Sequence, residues 1–146
     1  MKNTNNITET LSEKLDYYNN DIYELLKIDF DQATLEQLSF EILQTFAYFK
    51  DISDDVKTNL SSLSNNDKKV FEIRLNSYNN SIKSFYKKAM ESISTLVGAG
   101  KVKKNKLPVI SELSSNIEVY SAYADQTLAS IFGSSPLTKP QGQPGE

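Results

Sequence analysis

Apolar residues recur every three or four positions along much of this chain, and the clearest repeat lies near its middle. This repeat consists of Phe71, Leu75, Tyr78, Ile82, Phe85, Ala89, Ile93 and Leu96. Such spacing places one apolar stripe along an α-helix of roughly 45 Å at 1.5 Å per residue. A polar turn at 64–66 precedes the repeat, and Gly98 and Gly100 follow it. The pattern therefore predicts a helix over residues 67–97, because glycine commonly ends helices.

Three further segments have the same helical spacing. The first covers about 7–28, with Asn6 and Glu9 as a predicted capping box. The fourth runs from Pro108, a residue favoured in the first turn of a helix, to the stop at Gly133. The stripes of these two helices are Ile7, Leu11, Leu15, Tyr18, Ile22 and Leu25, and then Ile110, Leu113, Ile117, Tyr120, Ala124, Leu128 and Ile131.

The second segment runs from Leu35 to Leu63, with Thr34 and Gln37 in capping positions. Its stripe is Leu35, Leu38, Ile42, Phe46, Phe49, Val56, Leu60 and Leu63, and a second apolar set is Phe40, Leu43 and Ala47. The second set predicts a broad apolar face in contact with more than one neighbouring helix. The polar run 51–55 leaves two alternatives open, a continuous helix or a break with a restart at Ser53.

No segment has the period-two alternation of a β-strand. Each amphipathic helix has to bury its stripe, and short connections favour antiparallel neighbours. The sequence therefore predicts one all-α domain over 1–133, an antiparallel four-helix bundle whose second and third helices form a long central hairpin. The alternative is an oligomer in which hairpins of several chains complete one another's cores. Residues 134–146 contain three prolines and two glycines and are predicted to form a flexible tail.

The composition removes the side chains that most enzymes depend on. The chain has no histidine, no cysteine and no tryptophan, and its only arginine is Arg74. Without imidazole or thiolate, acid–base catalysis at neutral pH and soft-metal binding lack their usual groups. We therefore expect no enzymatic activity, no catalytic residue, no metal and no cofactor. The N-terminus lacks the apolar run of a signal peptide and no stretch is long enough to span a membrane, which predicts a cytoplasmic protein.

Charge is strongly partitioned along the chain. Residues 1–63 contain five lysines and twelve acids, residues 64–106 ten basic residues and three acids, and residues 107–146 one lysine and four acids. One interpretation is that the basic third helix packs between acidic helices and so selects its neighbours. The other is a cationic surface for an anionic partner. Its candidate residues are Lys101, Lys103, Lys104 and Lys106 in the loop, with Lys68, Lys69, Lys83, Lys87, Lys88 and Arg74 along the helix.

Nucleic-acid binding is possible on this second interpretation but disfavoured. Lysines neutralise phosphates, whereas base-edge recognition prefers the bidentate guanidinium that only Arg74 offers. Some tyrosines suggest a different kind of surface. Tyr86 and Tyr123 lie beside the apolar stripes, as do Tyr17 and Tyr23, and such aromatic residues are either interface residues or amphipathic rim residues.

The sequence thus favours a non-enzymatic helical module for protein–protein interaction, including self-association, that acts as an adaptor, assembly or inhibitory accessory protein. The first alternative is an anion- or nucleic-acid-binding module that uses the third helix and residues 101–106. A second alternative comes from the tail, where 142–146 (Gly-Gln-Pro-Gly-Glu) matches the start of a Gly-X-Y repeat. A chain that continued into a collagen-like stalk would resemble the oligomeric helical head of a bacterial collagen-like surface protein.

Overall fold

In the computed structural model, described over residues 2–28 and 35–133 with side chains from residue 7, the chain forms four helices. They are α1 (Lys2–Leu26), α2 (Leu35–Thr58), α3 (Asn65–Gly98) and α4 (Leu107–Phe132). Single 3₁₀ turns at Leu60–Ser62 and Lys104–Lys106 precede α3 and α4. No strand occurs within the described ranges, which confirms the predicted all-α class.

The four helices form a bundle built on the α2–α3 hairpin. Helices α2 and α3 contact each other, and α1 and α4 each pack against both of them. The helix directions follow from the pairs of residues that meet. Phe49 stacks on Tyr78 across the hairpin, and Tyr18 of α1 donates to Asp51 of α2 at 2.6 Å. Lys14, one turn before Tyr18, meets Asp55, and Ile131 and Phe132 at the end of α4 lie beside Asn65 and Lys68 at the start of α3. Consecutive helices are therefore antiparallel, as predicted.

The core is one continuous cluster to which all four helices contribute. Its largest fully buried side chains are Tyr78, Phe49, Phe71 and Phe85, each at most 2% exposed. Burying such a side chain stabilises the fold by about 1.5–3 kcal/mol relative to leaving it in water. The predicted stripes of α1 and α3 supply most of their buried residues, so their periodicity identifies the core face correctly.

Helix α2 is continuous through 51–55, which settles the alternative that the sequence left open. Ile52 and Ser53 are fully buried there, and the Ser53 hydroxyl donates to the carbonyl of Lys50 at 3.1 Å. The carboxylates of Asp51 and Asp55 both bind Lys14 of α1. The Ser53 hydroxyl is thus hydrogen-bonded within its own helix, and Lys14 neutralises both acids. The polar run 51–55 therefore does not break the helix.

Two expectations at helix surfaces and ends are wrong. Phe40 and Leu43 do not widen the buried face of α2, since they are 58% and 51% exposed. The buried face extends instead to Thr45, which donates to the Glu41 carbonyl at 2.7 Å. Helix α1 begins at Lys2, before Asn6, so a capping box at Asn6 does not start it. The Thr34 cap and the tail at 134–146 lie outside the described residues.

The ends of α3 are well defined. The Ser64 hydroxyl accepts from the Asp67 amide at 3.0 Å and caps the N-terminus. At the C-terminus, Gly100 has φ +72°, and its amide donates to the Val97 carbonyl while that of Lys101 donates to Leu96. This pair of hydrogen bonds is a Schellman motif, which needs a residue in the left-handed region and so favours glycine.

Candidate functional site

Three of the predicted cationic residues on α3 form contacts within the bundle. Arg74 donates to the Ser12 hydroxyl at 2.7 Å and to Asp16 at 2.5 Å, both on α1. Lys88 donates to the Leu26 carbonyl, also on α1, at 2.5 Å. Lys83 lies 2.8 Å from Asp125 of α4. These contacts support the interpretation that the basic helix is matched to acidic neighbours.

The connection between α3 and α4 is held at both ends. After the Schellman motif, Val102 packs against the core. Lys106 then forms an ion pair with Glu36 of α2 at 2.9 Å, and this hydrogen bond lowers the pKa of the Glu36 carboxyl. Between these anchors the chain makes one 3₁₀ turn at Lys104–Lys106. The lysines on this connection are therefore presented by an anchored backbone.

Only some of the predicted cations remain available at the surface. Lys101, Lys103 and Lys104 are exposed, and none of them has an ion pair with any residue that the structure describes. Lys87 is also exposed, on α3. Arg74 is separated from Gly98 by roughly 36 Å along α3 at 1.5 Å per residue. The predicted residues therefore do not form one site, and only the three loop lysines lie close together in the chain.

The two candidate tyrosines differ in burial. Tyr86 is only 3% exposed, so it belongs to the core and is not available to a partner; burial raises the pKa of its phenol. Tyr123 is half-buried and meets Phe46 of α2 edge to face, with ring centroids 5.2 Å apart. Tyr120 stacks on the same phenyl ring at 4.0 Å. Phe46 thus joins α2 to α4 through two aromatic contacts.

The helices α2 and α4, which form the surface around this aromatic junction, also carry exposed apolar side chains. Phe40 and Leu43 lie one or two turns before Phe46 on α2, and Val119, which is 61% exposed, directly precedes Tyr120 on α4. We call this surface the α2–α4 face and define it as Phe40, Leu43, Phe46, Val119, Tyr120 and Tyr123. Sequence reasoning identified Phe40 and Leu43 as apolar and helical but assigned them to the core, because periodicity does not say which face a neighbour covers.

The helices that carry the α2–α4 face are acidic. Within Leu35–Thr58, α2 has five carboxylates and two lysines, and within Leu107–Phe132, α4 has three carboxylates and no lysine. Glu112 is exposed and lies two turns before Val119 on the same side of α4. Glu41 is half-buried, and burial together with the nearby charge of Asp21 raises the pKa of its carboxyl. Glu41 and Glu112 therefore add negative charge to the two helices that carry these apolar side chains.

A second cluster of polar side chains joins α1 to α2. Lys14 bridges Asp51, at 2.9 Å, and Asp55, and Tyr18 donates to Asp51. Burial and this hydrogen bond raise the pKa of Tyr18 to about 12, while the hydrogen bond from Tyr18 lowers the pKa of Asp51. Each group in the cluster already has a partner, so the arrangement serves to hold the two helices in register.

Comparison with known protein families, with curated proteins and with solved structures finds no match to this chain. Among the described residues, no group of three or more carboxylates is arranged to hold a metal ion. None of the four helices is both long enough and apolar enough to cross a lipid bilayer over the residues described. The function has to be argued from the surface itself.

Proposed function

We propose that this chain is a non-enzymatic protein-binding module, and that its α2–α4 face binds an amphipathic helical segment with basic residues at its edges. The exposure of Phe40 and Leu43, 58% and 51%, is the observation that carries the proposal. Two large apolar side chains one turn apart on a rigid helix match the spacing by which helical segments dock. Exposed apolar surface of this kind marks interaction sites more often than scattered single residues do.

Charge complementarity supports a basic partner. The described parts of α2 and α4 carry eight carboxylates, of which four have no ion pair among the described residues: Glu41, Asp54, Glu112 and Glu118. A segment with lysine or arginine at its edges would place opposite charges around the apolar contact, which mainly increases the association rate and the specificity.

Peptide binding to the full chain tests this proposal. The probe is a synthetic amphipathic helix with leucines at spacing three and four and lysines at its edges, measured by fluorescence anisotropy against the same helix with glutamates at its edges. We expect the lysine peptide to bind and the double variant Phe40→Ser/Leu43→Ser to weaken that binding at least tenfold. Side chains that become fully buried near the centre of an interface contribute most of its binding energy.

The chain offers a matched control for the double variant. Val70 and Ile73 on α3 are 42% and 64% exposed and have the same three-residue spacing. Val70→Ser/Ile73→Ser should leave the peptide affinity unchanged. Equal loss in both variants, or no binding of the lysine peptide to the unmodified chain, would contradict the proposed face. Light scattering on the same samples measures self-association, which the Phe40→Ser/Leu43→Ser variant should abolish if the partner is a second copy.

A nucleic-acid-binding function has weaker support. Arg74, the residue best suited to base-edge recognition, is engaged by Ser12 and Asp16. The oligomeric head of a collagen-like protein depends on residues 134–146, outside the described part of the chain. Neither alternative gains an observation comparable to the exposed apolar pair on α2.

A further inference from the structure

We infer that the connection between α3 and α4 is a docking surface for anionic lipid membranes. Its residues are Val97, Lys101, Lys103, Lys104 and Leu107, which we call the basic tip. The three lysines are exposed, and Val97 and Leu107 are 42% and 44% exposed. The basic tip is positively charged, and it is a different surface from the α2–α4 face, whose helices are acidic. The inference therefore does not depend on the function proposed above.

The basic tip is rich in lysine and has no acidic residue close to it along the chain. No aspartate or glutamate occurs between Glu91 and Glu112, whereas four lysines do. The fourth, Lys106, is paired with Glu36, and the other three have no ion pair within the described ranges. A partner surface that brings many negative charges into one plane could neutralise all three lysines together.

The backbone holds these lysines in place before any partner binds. The Lys101 amide donates to the Leu96 carbonyl at 3.0 Å and the Lys106 amide donates to the Lys103 carbonyl at 2.9 Å. Val102 packs against the core between them. Docking of the tip therefore requires little ordering of the main chain, and the conformational cost falls mainly on the lysine side chains.

The other side chains of the tip favour lipid over nucleic acid. Residues 92–111 contain no arginine and no aromatic residue, and these are the groups that read bases or stack on them. Val97 and Leu107 are aliphatic and sit beside the lysines in the chain. Aliphatic side chains that enter the headgroup boundary, flanked by lysines that bind anionic headgroups, are the composition that binds a membrane interface.

The expected binding is weak and strongly dependent on charge. Each lysine near an anionic membrane surface strengthens binding by roughly fivefold. Three lysines would therefore give on the order of a hundredfold preference for anionic over neutral vesicles, and salt should reduce it because the attraction is screened within a Debye length. The apolar contribution of Val97 and Leu107 should persist at higher salt.

Vesicle flotation with the full chain tests the inference. The probes are phosphatidylcholine vesicles with and without phosphatidylserine, at low and at physiological salt. We expect flotation only with phosphatidylserine, and its loss in Lys101→Glu/Lys103→Glu/Lys104→Glu. The control Lys57→Glu/Lys68→Glu/Lys69→Glu makes the same change in net charge near the start of α3, at the other end of the bundle, and should still float.

Further measurements separate the competing explanations. Val97→Ser/Leu107→Ser should lower flotation several-fold, most clearly at physiological salt, and Phe40→Ser/Leu43→Ser should leave it unchanged. Absence of flotation with phosphatidylserine, or equal loss in both lysine variants, would overturn the inference. So would a single-stranded oligonucleotide that bound the unmodified chain through Lys101, Lys103 and Lys104 more tightly than vesicles do, because the tip would then be a nucleic-acid surface. Circular dichroism of each variant verifies that it is folded.

Discussion

At the scale of single residues, Asp125 is an exposed carboxylate that supports a buried polar group. The Asn79 amide, 4% exposed, donates to Asp125 at 3.1 Å, and Lys83 donates to the same carboxylate at 2.8 Å. We expect Asp125→Ala to lower the free energy of unfolding by about 1–3 kcal/mol, because it leaves a buried amide without its acceptor. Urea denaturation followed by circular dichroism measures the change.

Glu118→Ala is the control for this prediction. Glu118 lies on the same helix, is exposed, and has no ion pair among the described residues. Its replacement should change the free energy of unfolding by no more than about 0.5 kcal/mol. If the two alanine variants were equally stable, the contact between Asn79 and Asp125 would contribute nothing to the fold.

Glu41 makes a residue-scale prediction about pH. Burial, and then the charge of Asp21, raise the pKa of its carboxyl in the folded chain above the unfolded value. The ionised form therefore destabilises the fold at neutral pH, and the penalty disappears once the pH falls below the unfolded pKa, where both states are protonated. Glu41→Gln should stabilise the fold at pH 7, by less than about 1 kcal/mol for a partly exposed group, and should have no effect in strong acid.

Thermal unfolding of Glu41→Gln and of the unmodified chain, at pH 7 and in strong acid, measures this difference in stability. Glu91→Gln removes an exposed carboxylate from α3 and should not reproduce the gain at neutral pH. A gain in Glu41→Gln that persisted unchanged in acid would have a cause other than the burial of its charge.

At the scale of helices, two neighbouring glycines should respond to alanine in opposite directions. Gly100 has φ +72°, whereas Gly98 is the last residue of α3, and neither would crowd an added Cβ. Gly100→Ala should destabilise the fold by about 1–2 kcal/mol because L-residues avoid that conformation. Gly98→Ala should stabilise it by up to about 1 kcal/mol, because alanine loses less backbone freedom in a helix. Urea midpoints of both variants measure the signs; the same sign in both would refute the Schellman assignment.

The sequence predicts the buried face of α3 correctly, but it does not determine two features of α2. The stripe of α3 is correct because one face of a long helix is buried along its length. The continuity of α2 could not be predicted, since the residue that neutralises Asp51 and Asp55, Lys14, lies on another helix. Phe40 and Leu43 could not be placed either, because the period of a pattern fixes a face but not the neighbour that covers it.

At the scale of the whole molecule, the sequence shows that charge is partitioned but not how it is used. Arg74 and Lys88 meet α1, and Lys106 meets α2, so cations that are candidates for binding serve packing instead. The partners come from elements far apart in the chain. Lys87, Lys101, Lys103 and Lys104 are exposed and have no ion pair among the described residues, so they remain candidates for binding an anionic partner.

Because all four helices share one core, we expect the bundle to unfold as a single unit. Leu15 of α1 and Leu113 of α4 are 0% and 2% exposed and belong to one buried cluster with α2 and α3. Leu15→Ala and Leu113→Ala should each destabilise the fold by about 2–5 kcal/mol. In each variant the far-UV circular dichroism and tyrosine fluorescence transitions should stay coincident, as two-state unfolding requires. Val119→Ala, at an exposed position, should move neither transition appreciably.

This cooperativity links the two surfaces to the stability of the chain. A ligand that binds only the folded state raises the free energy of unfolding by about 2.7 kcal/mol at a hundred times its Kd. Because one core joins all four helices, the lysine peptide should raise the melting temperature of the whole bundle, as seen by both probes together. Phe40→Ser/Leu43→Ser should abolish that rise while leaving the ligand-free melting temperature nearly unchanged, since both side chains are already largely in water. If instead the peptide shifted only one probe, the face would belong to a part of the bundle that unfolds on its own.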